Sequence, residues 1–154
     1  MIINYKKYMK NIHIVKNQEE LDAVYAIREK VFIGGQNVPP ELEHDGLDEC
    51  SEHAVLFFEN IPAGCARIRI VDDQIRLERI AVLEQFRGKG LGADMMRFLV
   101  NYAKDKKAAA VTMHAQYYLL DFYKNFGFEP SGAPFMEADI KHIEMILKLR
   151  SKRN

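Results

Sequence analysis

The spacing of apolar and polar residues changes several times along the chain, and each change marks an element. Ile12 and Ile14 alternate with polar neighbours up to Lys16, which predicts a short strand. Asn17, followed three residues later by Glu20, is a helix start; Leu21, Val24, Tyr25, Ile27 and Arg28 then share one face, and the helix should end before Gly34-Gly35. Residues 36–51 carry Pro39-Pro40 and are expected to form a loop or a broken helix. Three strands follow, His53 to Glu59, Ala63 to Val71 and Ile75 to Val82, divided by Asn60-Ile-Pro62 and Asp72-Asp73. From Gly90 the period turns helical, with Leu91, Met95, Phe98, Leu99 and Tyr102 on one stripe. Ala109 to Ala115 reads as a buried strand, Leu119 to Phe126 as a short helix stopped by Gly127, and His142 to Leu149 as a last strand. Adjacent hairpin strands combined with a strand-helix-strand crossover predict an α+β fold with a mixed, mainly antiparallel sheet flanked by helices.

Composition narrows the classes. The 154 residues suit one domain, spanning the whole chain with a core from about 11 to 149, and no repeat or low-complexity linker divides them. The basic leader Lys6, Lys7 and Lys10 and the tail from Arg150 are expected to be solvated ends. Lys plus Arg equals Asp plus Glu at 22 each, so no overall basic field exists to hold nucleic acid. The longest uncharged run, Ala108 to Leu120, is too short to span a bilayer. With two cysteines and no signal-type apolar stretch after the basic leader, a cytoplasmic protein is expected. Cys50-Ser-Glu-His53 lacks the second ligand pair a zinc site needs, so no metal is expected.

The stretch Leu77-Glu-Arg-Ile-Ala-Val-Leu-Glu-Gln-Phe-Arg-Gly-Lys-Gly-Leu-Gly92 carries the chemistry. A strand runs into a turn containing Gly88, Gly90 and Gly92 that opens a helix, where bare backbone N–H groups and the positive dipole end suit a diphosphate. A Walker-type loop is excluded because Gly90, not Ser or Thr, follows Lys89. A dinucleotide fingerprint can be forced from Gly88, Gly90 and Ala93, but the next strand ends at Gln116 and not at an acidic residue.

Taken as Arg87-x-x-Gly90-x-Gly92 after Ile80-Ala-Val82, the segment resembles the acyl-CoA-binding motif of the GNAT superfamily of N-acyltransferases. Asp121-Phe-Tyr-Lys-Asn-Phe-Gly-Phe128 resembles that superfamily's second signature. Gln36-Asn-Val-Pro39, Glu43-x-Asp45, Ser51-Glu-His53, His114-Ala-Gln116 and Phe122-Tyr123 extend the resemblance to the ElaA-like branch over most of residues 12–149. The resemblance implies a GNAT-like sheet with a splayed strand pair for acyl-CoA, and an acetyl-CoA-dependent N-acetyltransferase acting on a primary amine of a small molecule. The alternatives are a non-catalytic acyl-CoA sensor or interaction module and a nucleotide-phosphate binder. A homodimer is compatible with either.

The same resemblance implies site residues. Ile80, Ala81 and Val82 would face the pantetheine arm, and the amides from Gly88 through Lys89, Gly90 and Leu91 to Gly92, beside Arg87 and the Lys89 side chain, would hold the diphosphate. Gln116 and Phe122 join this acyl-CoA set. Glu43, Asp45, His53 and His114 fall on the acceptor side, where an acidic loop over the mouth would attract an ammonium group. Tyr123, a phenol protonated at neutral pH, suits the proton donor to the departing thiolate. Glu78 lies four residues before Val82, on the same face of a regular strand, and is the candidate base; a water relay can replace it, and pairing with Arg69 or Arg76 is its structural alternative. Neither Cys50 nor Cys65 falls in these motifs, so direct transfer in a ternary complex is expected.

Overall fold

A computed structural model describes residues 7–150. Lys6 of the basic leader and tail residues 151–154 lie outside the described residues. The expected alternation at the start is a strand, β1 (Lys10–Ile14), so Lys10 is part of the sheet and pairs with Asp94 at 2.9 Å. Helix α1 (Gln18–Arg28) starts as predicted: Asn17 Oδ1 accepts the Glu20 N–H at 2.9 Å while Glu20 accepts the Lys16 N–H at 3.0 Å. It runs on as a wider π-helical turn through Glu29–Gly34, and Pro39 then leads into the single-turn α2 (Pro40–Glu43).

The meander is β2 (Glu52–Phe58), β3 (Ile61–Val71) and β4 (Gln74–Val82). Helix α3 (Leu91–Asp105) crosses to β5 (Ala110–Gln116), and α4 (Leu120–Lys124) leads to the hairpin β6 (Glu129–Glu137) and β7 (Ile140–Lys148). The seven strands lie in the order β1-β2-β3-β4-β5-β7-β6, and only β4 and β5 run parallel. Strand β6 was not expected. Pro130 and Pro134 argue against a strand, but β6 is an edge, where a missing N–H costs no ladder bond. Ala138 and Asp139, at φ 51° and 59°, form its two-residue turn.

The sheet separates two cores. Leu91, Met95, Met96, Leu99 and Ala103 of α3 are buried against Leu56, Ile68, Ile75, Leu77, Val111, Met113 and Met145. On the other face Val24 and Ile27 of α1 and Val31 pack on Val55, Cys65 and Ala81. The predicted α3 stripe holds: Phe98 and Tyr102 are half-buried and pack against this core, and the Tyr102 hydroxyl at its rim donates to Glu52.

Candidate active site

The parallel ladder between β4 and β5 is short: it pairs Gln74 with Ala110 through Leu77 with Met113 and goes no further. The cause lies at Arg79, whose φ of 55° inserts an extra residue into β4. On β3, Cys65 and Arg67 are two residues apart, yet they face Ala81 and Glu78, three apart. Beyond the bulge β4 stays paired with β3 while β5 stays paired with β7 up to Gln116 and His142. The two strands therefore splay, as the family resemblance implies. Leu83 donates to Ala63 at 2.8 Å, so the adjoining pair Gly64 and Val82 is of the non-hydrogen-bonded kind. The Val82 N–H and C=O accordingly point away from β3, toward the gap.

The gap opens into a cleft of about 970 Å³, lined on these banks by Ile80, Ala81, Val82, His114 and Gln116. Its loop wall holds Arg87, Gly88, Gly90, Leu91 and Gly92, and α4 contributes Phe122 and Tyr123. Gly88 and Gly90 both sit at φ 77°, a conformation that favours glycine. Gly90 caps α3 without a side-chain bond, and the N–H groups of Leu91, Gly92 and Ala93 find no backbone acceptor among the described residues. Arg87 Nε donates to the Val82 carbonyl at 3.1 Å, tying the loop to the strand end. Gln116 donates to Gln36 at 2.9 Å across the cleft. This wall suits a polyanion joined to an extended amide-bearing arm. Lys89 does not contribute its side chain: Nζ lies over the Tyr8 and Phe58 rings, 5.7 Å from each centroid, and is not on the cleft.

Tyr123 is buried against Phe122 and Phe128 yet borders the cleft, and its hydroxyl has no partner among the described residues. Burial, reinforced by Tyr118, pushes its phenol above the ordinary tyrosine value, so it remains a proton donor.

The acidic loop is not the open mouth expected of it. Glu43 is buried, with Oε1 accepting from Arg28 at 2.6 Å and Oε2 lying 2.7 Å from Arg79 Nε. Asp45 takes both arms of Arg67 at 2.8 and 2.7 Å, and Asp48 bridges Arg28 and Arg67 at 2.6 and 3.0 Å. Hydrogen bonding from Arg67 holds the Asp45 carboxyl well below the usual range. Glu43 and Asp45 do border the cleft, but their charges are spent on arginines. The loop has a different task. Arg79 Nη2 donates to the carbonyls of Leu42 and Glu43 at 3.2 Å, so the loop clamps the residue that forms the bulge and splays the strands.

Glu78 is displaced from its expected geometry by the same bulge. Leu77, Ile80 and Val82 pack on the α3 side, whereas Glu78 faces the α1 side with Ala81, so it does not share a face with Val82. Oε2 accepts from Arg67 at 2.8 and 2.5 Å and from Arg69 at 3.0 Å, while Oε1 accepts from Arg69 at 2.7 Å and Arg76 at 3.3 Å. Burial would raise its carboxyl, but the bonds and charges of Arg69 and Arg67 outweigh that and keep it below the ordinary glutamate value.

His53 is not on the cleft: it is buried against Tyr25, its Nε2 sits 3.1 Å from the Asp48 carbonyl, and burial lowers its pKa and keeps it neutral. His114 does line the cleft, 3.3 Å from Glu137 Oε1. Glu137, Ile140 and His142 of the β6–β7 turn, Arg69 and Arg76 of the meander, and the apolar Phe32, Val38 and Leu42 were missed as wall residues. The first group follows from missing β6. Residue alternation could have placed Arg69 and Arg76 together, since they are opposed across a two-residue turn.

Residues 14–149 match the acetyltransferase (GNAT) domain. The chain is 39% identical to the uncharacterized N-acetyltransferase YjcF of Bacillus subtilis strain 168 over 134 residues, 86% of this chain and 96% of that protein. It is similar to the crystal structure of an acyl-CoA N-acyltransferase from Pseudomonas aeruginosa, with a TM-score of 0.81 and 25% identity over 92% of this chain and 99% of that one. Escherichia coli ElaA matches with a TM-score of 0.80 and 26% identity over 91% of this chain and 100% of its own. With the splayed strands, the glycine loop and these likenesses together, the chain belongs to the GNAT family of acetyltransferases, with ElaA among its relatives.

Proposed function

We propose that the protein moves an acetyl group from acetyl-CoA to the primary amine of a small molecule, directly, with both substrates in the cleft at once. The observation that carries this reading is the gap between β4 and β5, continuous with the glycine loop and bordered by Tyr123. Acetyl-CoA supplies the activated thioester. The Val82 N–H is aimed to donate to an acyl oxygen lying in the gap, a single-donor oxyanion site. The free amides at the start of α3, with Arg87, suit the diphosphate. As the amine nitrogen bonds the acyl carbon and the C–S bond breaks, Tyr123 gives its proton to the departing sulfur. We assign the amine's proton to cleft water and not to Glu78, whose oxygens are both taken by arginines. No acyl-cysteine is needed: Cys65 is fully buried, with its thiol pushed up to about 12, and Cys50 is off the cleft.

The test is CoA release together with mass detection of the acetylated product across a panel of amines. Turnover of at least one amine is expected. Gly90→Asp, which puts a negative side chain at a φ of 77° on the loop, should raise the KM for acetyl-CoA at least tenfold, about 1.4 kcal/mol, in a protein with unchanged circular dichroism. Binding of acetyl-CoA without any acetylated product would leave the chain a sensor and not an enzyme.

A further inference from the structure

The ion network beside the cleft is not balanced. Arg28, Arg67, Arg69, Arg76 and Arg79 face Glu43, Asp45, Asp48 and Glu78, which leaves one positive charge in surplus. The surplus sits at a defined place. Arg28 and Arg67 are fully buried and committed to carboxylates, and Arg79 is tied to Glu43 through Nε and to the Leu42 and Glu43 carbonyls and Asp45 through Nη2, which leaves only its Nη1 without a partner among the described residues. Arg69 and Arg76 stand directly opposite each other on β3 and β4, and their side chains are only 22% and 21% exposed. Like charges placed so are destabilising, and Glu78, already bonded by Arg67, is the one carboxylate they share. Arg76 uses Nε alone, at 3.3 Å, so both terminal nitrogens lack a partner among the described residues; Arg69 has Nη1 to spare. Both residues line the cleft. On the far side of β5 the sign reverses, where Glu137 lies 3.3 Å from His114 and 3.7 Å from His142.

We propose that Arg69 and Arg76 form an anion subsite for the acceptor, which is an amine bearing an anionic oxygen group, a carboxylate or a phosphate. The paired guanidinium forks hold that group, and the amine end lies toward β5 and Glu137, near the gap where Tyr123 borders the cleft. This inference rests on the acetyl-transfer reading and reverses the acceptor sign that the acidic loop suggested, because that loop's carboxylates are spent.

The test compares acceptors that differ in the anion, with kcat/KM referred to the concentration of each acceptor's unprotonated amine: glycine and β-alanine against their carboxamides, and O-phosphoethanolamine against ethanolamine. The anion-bearing member of a pair is expected to have the higher kcat/KM, and the pair that shows it identifies carboxylate or phosphate. Arg76→Gln should lower kcat/KM for that member at least tenfold more than for its neutral partner, while Arg76→Lys, which keeps charge but loses the fork, should fall between. A second readout is independent of turnover: in protein labelled with ¹⁵N-arginine, the Nε–H signals of Arg69 and Arg76 should shift on titration with the anionic amines and not with the neutral ones. If the signals shift but nothing is acetylated, the subsite stands and the transfer reading falls. If neutral amines are acetylated as well as their anionic partners and Arg76→Gln treats both alike, the subsite is overturned and the transfer reading stands.

Discussion

Tyr123→Phe is expected to lower kcat by about 10²- to 10⁴-fold, the range for loss of a positioned general acid. The substitution keeps the ring that packs on Phe122 and Phe128 and breaks no hydrogen bond to a described residue, so stability should change little. Burial holds the phenol protonated well past neutrality, so the defect should persist across the working pH range and not appear only at one end. The KM for acetyl-CoA should stay near wild type, because a proton given only as the C–S bond breaks adds nothing to ground-state binding. A variant within threefold of wild type, with chemistry shown to be rate-limiting, would remove Tyr123 from the mechanism and leave it as part of the core.

Arg67→Met should cost about 3–5 kcal/mol of unfolding free energy, measured by urea titration at pH 7, because it strips one fully buried cation from Asp45, Asp48 and Glu78 at once. Its pH dependence is the sharper signature. The three carboxyls are held below their ordinary values, by Arg67 bonding in Asp45 and by arginine bonds that outweigh burial in Asp48 and Glu78. Groups with lowered folded values contribute stability that is present above the unfolded value and lost as pH falls through the folded one. Wild type should therefore lose stability from about pH 4 downward. In the variant the carboxyls regain higher values, so the stability gap between the two proteins should narrow on acidification. A gap that stays constant from neutral pH to pH 3 would mean that pairing of these carboxylates with Arg67 does not account for it.

The parts of this molecule legible in its sequence are those encoded by nearby residues. Asn17 and Glu20 cap α1, the alternation in residues 53–82 writes the meander, and the glycines from 88 to 92 announce a bare helix start, all within a few positions. The features that escaped depend on residues far apart in the chain. The bulge at Arg79 carries no glycine to flag its left-handed backbone; it is clamped by a loop some 36 residues earlier. Because of that one extra residue, strand parity predicted the wrong face for Glu78. The run of carboxylates from Glu41 to Glu52 contains no Lys or Arg, so by itself it resembles a solvated face; the cations that absorb it stand on α1, β3 and β4. Likewise β6 exists because β7 offers an edge, despite two prolines. The glycine-loop wall of the cleft, built mostly of local backbone, was thus readable, whereas the wall built of long-range ion pairs was not.

A crystal structure of the protein with CoA tests the central claim most directly. The expected result has the pantetheine arm between residues 80–82 of β4 and 114–116 of β5, the diphosphate on the amides that open α3, and the sulfur within hydrogen-bonding distance of the Tyr123 hydroxyl. CoA bound outside the β4–β5 gap, or with its sulfur directed away from Tyr123, would contradict the account.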